Sequence, residues 1–317
     1  MPQRPRALYY SMMQYQPANR ARLDEIFDVT ELPDPGADKD EDLAEAQVLF
    51  APLGYRIDAA RMDRCPRLKA IVSNTTGIPH IDAKVAAQRG IAICALHDEQ
   101  AFLDRITPTA EHAIGLIIAA WRRIPAAHAA ASAGRWDRRP WGAPAMLSRL
   151  RLGIVGYGRL GRKVGAIARA MEMKVAYYDP SKPDSASSLL ALARTSDILS
   201  LHVPALPATQ NLVSREMLEA LPRGAMVVNT ARGEVLDTDA LIDLLESGHL
   251  RAAALDVVKD EYDPGFQFVS NRIAVYARTH DNLVLTPHIG GSTVDAWSET
   301  ERHVIEKAAR IFAMGRT

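Results

Sequence analysis

The feature that most restricts this chain is a series of short apolar runs separated by helix-sized segments. Between Leu150 and Gly291 six such runs occur: "LRLGIVGYG", "KVAYYDP", "ILSLHVP", "AMVVNTA", "AAALDVV" and "LVLTPHIGG". Short runs that are apolar nearly throughout suit strands covered on both faces, and their alternation with helical segments predicts a doubly wound parallel sheet. Four further runs, "RALYYS", "AQVLFAPLG", "LKAIVSNTTG" and "IAICAL", fall in the first hundred residues. Between them "NRARLDEIFD" and "DAKVAAQRG" read as helices, the second starting after Asp82 as N-cap and stopping at Gly90. From Thr107 to Trp136 the pattern reads as one long helical stretch, and "DRRPWGAPAMLSR" as a connector. "DAWSETERHVIEKAARIFAMG" reads as a terminal helix, with no further domain expected after it. The 317 residues suffice for two domains.

Composition excludes several classes. Lys plus Arg and Asp plus Glu are 38 each, so the net charge is zero and there is no basic footprint for nucleic acid or a membrane surface. No run approaches the roughly 18 apolar residues of a membrane span. The first residues lack the apolar core and cleavage site of a signal peptide. Cys65 and Cys94 form neither a zinc pattern nor a disulfide framework, so no metal is expected. These features predict a cytoplasmic protein with two reduced, buried thiols.

"GIVGYGRLG" supplies Gly156, Gly158 and Gly161 as a G-x-G-x-x-G between a strand and the helical "RKVGAIARAMEM". The first glycine permits the tight turn, the second lets backbone approach a pyrophosphate, and the third allows close helix–sheet packing. The helix start then offers free N–H groups to phosphates. The next strand ends at Asp179, 18 residues beyond Gly161, where a carboxylate can accept from a ribose 2′-OH and repel a 2′-phosphate. NAD is therefore expected over NADP, although Lys182 lies nearby.

"NTARGEVLD" carries Arg232 straight out of the apolar run "AMVV". A cation at such a place needs an anion. Either Asp237 or Glu234 pairs with it, or a ligand does.

With the glycine loop, "HVP", "NTARG", "ALDVV" and "TPHIGG" in this order, the chain resembles the D-isomer-specific 2-hydroxyacid dehydrogenases over nearly its whole length. "TGIPHIDAKVAAQRGIAI", "TAEHAIGLIIAAWRRIP" and "AGRW" add to the resemblance. It implies a flavodoxin-like substrate domain, 1–104 and 291–317, and an inserted Rossmann NAD-binding domain, 105–290, with the active site in a cleft between them. A homodimer is also implied.

Carried over residue by residue, the resemblance makes Arg232 the clamp on a substrate carboxylate and keto oxygen, a role suited to a planar guanidinium that stays charged. His288 becomes the general acid/base, for which histidine's near-neutral titration is suited. Glu261, five residues past Asp256, would hold the tautomer of His288, with Asp260 an adjacent competitor. Asp256 would hold the nicotinamide amide. Val203, Pro204, Thr230 and Ala231 would line the nicotinamide side, Arg159 and Leu160 the pyrophosphate, Gly290 and Gly291 would also bind the cofactor, and Thr76 would reach it from the substrate domain. Leu53, Gly54 and Gly77 would present N–H groups to the carboxylate, with Tyr55 and Arg56 placed to affect specificity. His202 is expected to be structural.

The pattern departs from the family in places. Tyr262 replaces the usual proline after the glutamate, and 27 residues separate Glu261 from His288, giving a long loop expected to shape the cleft or an oligomer contact. Pro79 stands where relatives often carry an acid, and the lysine of phosphite-oxidising relatives is missing from this loop. Formate dehydrogenases use glutamine where Glu261 stands. The expected activity is thus hydride transfer between NAD and a D-2-hydroxy acid/2-oxo acid pair, of glyoxylate/hydroxypyruvate or phosphoglycerate type. The rival readings are an NAD(H)-sensing, corepressor-like regulator on the same scaffold and a methyltransferase, which leaves "NTARG" and "TPHIGG" without a role.

Overall fold

The structure is a computed structural model and describes residues 4–263 and 265–314. The chain divides into two compact units, one running to Ile106 and resuming at Thr293, the other spanning Thr107–Ser292.

In the first unit β1 (Arg6–Tyr10), β2 (Asp28–Leu32), β3 (Val48–Phe50), β4 (Ala70–Val72) and β5 (Ala92–Cys94) form a parallel sheet in the order β2-β1-β3-β4-β5. This is the flavodoxin-like order. Both faces are covered. Ala7, Tyr9, Val48, Phe50 and Val72 point into one core, and Leu8, Tyr10, Leu49 and Ile71 into the other. That two-sided burial explains why these strands read as unbroken apolar runs. The exception is β2, "DVTEL", an edge strand with no fully buried residue. Its polar composition hid it from the sequence reading. Asp82 caps the helix Ala83–Gln88 by accepting from the Val85 N–H at 3.0 Å, and Gly90 follows with φ +68°. The terminal helix Val294–Met314 belongs to this unit, where Glu301, 2% exposed, accepts from the Gln16 N–H and from Asn19 Nδ2.

The second unit holds β6 (Arg151–Val155), β7 (Lys174–Tyr178), β8 (Ile198–Leu201), β9 (Ala225–Asn229), β10 (Leu250–Leu255) and β11 (Leu283–Leu285). All are parallel, in the order β11-β10-β9-β8-β6-β7. The order reverses at β6, which lies between β7 and β8, so a crevice is expected outside the carboxyl ends of β6 and β8. The expected long helix from Thr107 is instead two, Pro108–Trp121 and Ile124–Ser132. They break at Arg123, φ +53°, because Pro125 cannot continue the first helix and fits the first turn of a second. The expected long loop before His288 is also partly helical. It contains the helix Arg272–Ala277, whose Ile273 and Tyr276 are buried in the core of this unit.

Cys65 and Cys94 are free, at 3% and 1% exposure, and burial pushes both thiols up to about 11. Among the described residues no helix is long and apolar enough to cross a membrane.

Candidate active site

The glycine loop leaves the end of β6. Gly156 has φ +88°, and a β-carbon there would lie 2.6 Å from the His202 carbonyl oxygen. A β-carbon on Gly161 would lie 2.1 Å from the Gly156 carbonyl oxygen. These two positions therefore exclude side chains. Gly158, the N-cap of the helix Arg159–Ala170, has open space where its β-carbon would stand. This is a cradle at a helix N-terminus, the form that fits a pyrophosphate. Leu160 is half-buried in that first helical turn and packs on the core of the unit.

Asp179 closes the same corner. Its carboxylate accepts from the Tyr157 N–H at 2.9 Å and from the Ser181 N–H and hydroxyl at 3.0 and 2.7 Å. Burial acts to raise its pKa, but these bonds and Lys182 outweigh burial and hold it below the usual carboxylate value. It ties the glycine loop to the end of β7 through Tyr157, whose ring stacks on Tyr177 with centroids 3.8 Å apart. The residues present therefore fit an adenine dinucleotide carrying a free 2′-OH.

Arg232 stands just past β9. The buried Asn229 side chain braces this turn, accepting from the Ala231 N–H and donating to the Arg232 carbonyl, both at 2.9 Å. The guanidinium donates to the Ala231 carbonyl at 2.7 Å. Neither proposed acidic partner takes it. Asp237 caps the helix Thr238–Glu246 by accepting from the Ala240 N–H, and Glu234 accepts from the Asp260 N–H at 3.4 Å. Among the described residues no carboxylate lies within ion-pairing distance of Arg232. The Thr230 hydroxyl next to it is buried without a hydrogen-bond partner.

His288 follows β11 in a left-handed backbone, φ +53°, a conformation that costs a non-glycine residue energy and is held here by its N–H bonding to the Asp256 and Thr286 carbonyls. Its Nδ1 lies 2.7 Å from Glu261 Oε1. Glu261 is thus the histidine's partner, and Asp260 is exposed. Nε2 makes no hydrogen bond among the described residues, and the side chain is 29% exposed. Nδ1 bound to a carboxylate carries the proton in the neutral ring, which leaves Nε2 as the basic nitrogen.

Asp256, 2% exposed at the end of β10, anchors the loop that carries His288. Its carboxylate accepts from the Thr286 hydroxyl at 2.6 Å, the Ile289 N–H at 2.9 Å and the Gly290 N–H at 2.8 Å. His112 Nε2 lies 2.9 Å from the Thr286 hydroxyl and 3.3 Å from Asp256. The sequence reading missed His112, Thr286 and Asn229. All three lie inside the quoted stretches "TAEHAIGLIIAAWRRIP", "TPHIGG" and "NTARG", but none was singled out.

Val203 is half-buried and Pro204 exposed after β8, while Ala231 is buried and Gly291 exposed. Burial pushes His202 down to about 4, and its Nε2 lies 2.8 Å from the Ser200 hydroxyl, so it is a neutral structural ring. In the first unit Leu53 and Gly54 follow the end of β3, and Thr76 and Gly77 that of β4, the neighbouring strand. Thr75 fixes the second loop by donating to the Gly77 carbonyl at 2.7 Å. Tyr55 is half-buried and Arg56 exposed. Among the described residues no group of three or more His, Cys, Asp or Glu is placed to hold a metal ion.

The family profile described as "D-isomer specific 2-hydroxyacid dehydrogenase, NAD binding domain" matches residues 114–290. The chain is similar to the D-3-phosphoglycerate dehydrogenase of Methanocaldococcus jannaschii, with 30% identity over 86% of this chain, but spans only 51% of that protein's length. It is 33% identical to the glyoxylate reductase of Thermofilum pendens over 84% of this chain and 78% of that one. The crystal structure of D-lactate dehydrogenase from Aquifex aeolicus, complexed with NAD and lactic acid, has the same fold, with a TM-score of 0.83 over 98% of this chain and 96% of that one at 24% identity.

Proposed function

Because the chain belongs to the D-isomer-specific 2-hydroxyacid dehydrogenase family, we propose that it is an NAD-dependent oxidoreductase that interconverts a 2-oxo acid and a D-2-hydroxy acid. Glyoxylate, hydroxypyruvate and phosphohydroxypyruvate are the substrate classes to test first. The observation that carries this reading is Arg232, a cation without a carboxylate partner in the same unit as a Glu261–His288 pair. A 2-oxo acid supplies the missing anion.

In this reading Arg232 binds the substrate carboxylate and keto oxygen through its planar fork. His288 gives a proton from Nε2 to the oxygen as the ketone is reduced, or takes it from the alcohol in reverse. Glu261 holds the Nδ1 proton and stabilises the imidazolium when it forms. Asp256, by anchoring Ile289 and Gly290, keeps His288 in its left-handed conformation. Bound NAD would supply or accept the hydride. Gly156, Gly158, Arg159, Leu160 and Gly161 would hold its pyrophosphate and Asp179 its ribose. Val203, Pro204, Thr230, Ala231, Asp256, Gly290 and Gly291 would line the nicotinamide side. We assign residues 1–104 and 291–317 to a substrate domain, with Leu53, Gly54 and Gly77 contributing N–H groups to the carboxylate and Thr76 a cofactor contact.

A cytoplasmic homodimer is the form we propose. Two buried free thiols support the location, and the exposed Ile124, Trp136 and Met146 support a self-association surface on the second unit. The test of function is steady-state turnover of the Arg232→Ala protein beside NADH binding. Turnover should be lost with binding retained, and undiminished turnover would remove Arg232 from the mechanism.

A further inference from the structure

Tyr262 occupies the position that the family resemblance fills with proline, and it faces the same ring nitrogen as Glu261. Its hydroxyl oxygen lies 2.9 Å from His288 Nδ1, against 2.7 Å for Glu261 Oε1. The two rings are tilted by 50° with centroids 5.7 Å apart, so the contact is made through the hydroxyl and not by stacking. Two successive residues of one segment thus converge on one imidazole N–H.

The hydrogen at Nδ1 decides what Tyr262 does. A bare Nδ1 lone pair 2.7 Å from an ionised carboxylate would be repelled, so Nδ1 is protonated and Glu261 accepts from it. The Tyr262 oxygen is then a second acceptor of the same hydrogen. The hydroxyl stays neutral in this role. Burial, with the charge of Glu261 adding and that of Arg232 opposing, pushes it up to about 12, and the other charges acting on it are Asp256 and Glu234.

We propose that Tyr262 is a positioning residue that acts as a reserve acceptor for the Nδ1–H of His288, holding the ring and its tautomer when the Glu261 carboxylate is lost or neutralised. The proposal rests on the assignment of His288 as the acid/base. It explains how the chain tolerates a departure from the usual proline directly beside the catalytic pair. It also separates the two partners by function: the carboxylate stabilises positive charge on the ring, and the phenol fixes its orientation without charge.

The test is a double-mutant cycle of Glu261→Gln and Tyr262→Phe, read by kcat and by 15N NMR of the His288 ring. Tyr262→Phe alone should lower kcat by no more than about fivefold, because Glu261 still accepts, and leave the Nδ1–H tautomer in place. In the Glu261→Gln background the same change should lower kcat by a further ~tenfold or more and mix the tautomers, with NADH affinity unchanged throughout. Equal effects of Tyr262→Phe in both backgrounds, on kcat and on tautomer, would overturn the reserve role and leave Tyr262 as packing. The NMR arm needs no substrate. If the wild-type protein turned over no 2-oxo acid, the oxidoreductase reading would fail, while the ring tautomers would still decide the part played by Tyr262.

Discussion

Gly233 lies so close to Lys259 that a β-carbon on the glycine would come within 2.1 Å of the Lys259 backbone nitrogen. The same β-carbon would also meet the Val258 carbonyl carbon at 2.1 Å. This contact sets the turn carrying Arg232 against the segment that leads to Glu261, two residues beyond Lys259. Neither side can yield without moving a proposed site residue, because both contacting groups are backbone.

Gly233→Ala should therefore separate the two segments. We expect a destabilisation of about 2–4 kcal/mol from overpacking, with kcat falling at least ~tenfold in whatever protein remains folded. Urea unfolding beside single-temperature kinetics measures both. A variant with unchanged stability would show that the 258–259 backbone is free to shift.

Replacing Arg232 by Lys keeps the charge and removes the fork. The expected loss in kcat/KM is about a hundredfold or more, since charge-assisted bidentate bonds to a carboxylate are each worth about 1.5–3 kcal/mol. Fluorescence titration with NADH should give the wild-type affinity.

Asp179→Asn keeps an acceptor for the Tyr157 N–H and removes the charge. The ratio of NADH to NADPH in kcat/KM should fall by about tenfold, as repulsion of a 2′-phosphate is relieved. An unchanged ratio would place the cofactor preference elsewhere, with Lys182 the first residue to examine.

His202 gives a stability signature. In the folded chain burial lowers it from 6.5 to about 4, so the unfolded chain binds a proton in this window that the folded chain refuses. Stability is complete above about pH 6.5 and is lost as pH falls towards 4, by on the order of 3 kcal/mol from this group. Tm measured from pH 7 to 4.5 should fall less steeply in His202→Gln than in the wild type.

The sequence revealed those parts of the fold that are buried on both faces. All six strands of the second unit appeared as apolar runs: β8 and β9 are buried at every position, whereas the edge strand β7 has no fully buried residue and showed itself only because Val175 to Tyr178 are apolar. The edge strand β2 is as open as β7 but carries Asp28, Thr30 and Glu31, and left no pattern. The helix break at Arg123 was legible in principle, through Pro125, but the alanine-rich composition on either side outweighed it. Arg232, His288 and Glu261 were named from motif order, and the structure brings the last two within 2.7 Å of each other. What motif order does not carry is the wiring: the three bonds of Asp256 to the loop 286–290 and the contact of His112 with Thr286 join residues far apart in the chain, and the local brace from Asn229 depends on how its side chain turns back on the loop. Tyr262 was visible only as a mismatch, because its meaning depends on a distance to His288.

We propose that Arg232 and the Glu261–His288 pair serve hydride transfer to a 2-oxo acid. The most direct test follows the loss of reduced-cofactor absorbance with NADH and NADPH in parallel, against 2-oxo acids graded in size and charge from glyoxylate through hydroxypyruvate to phosphohydroxypyruvate. We predict rapid loss of NADH with at least one acid, slower loss of NADPH, and none in Arg232→Ala. Tight NADH binding with no loss of absorbance on any of these acids would contradict the claim.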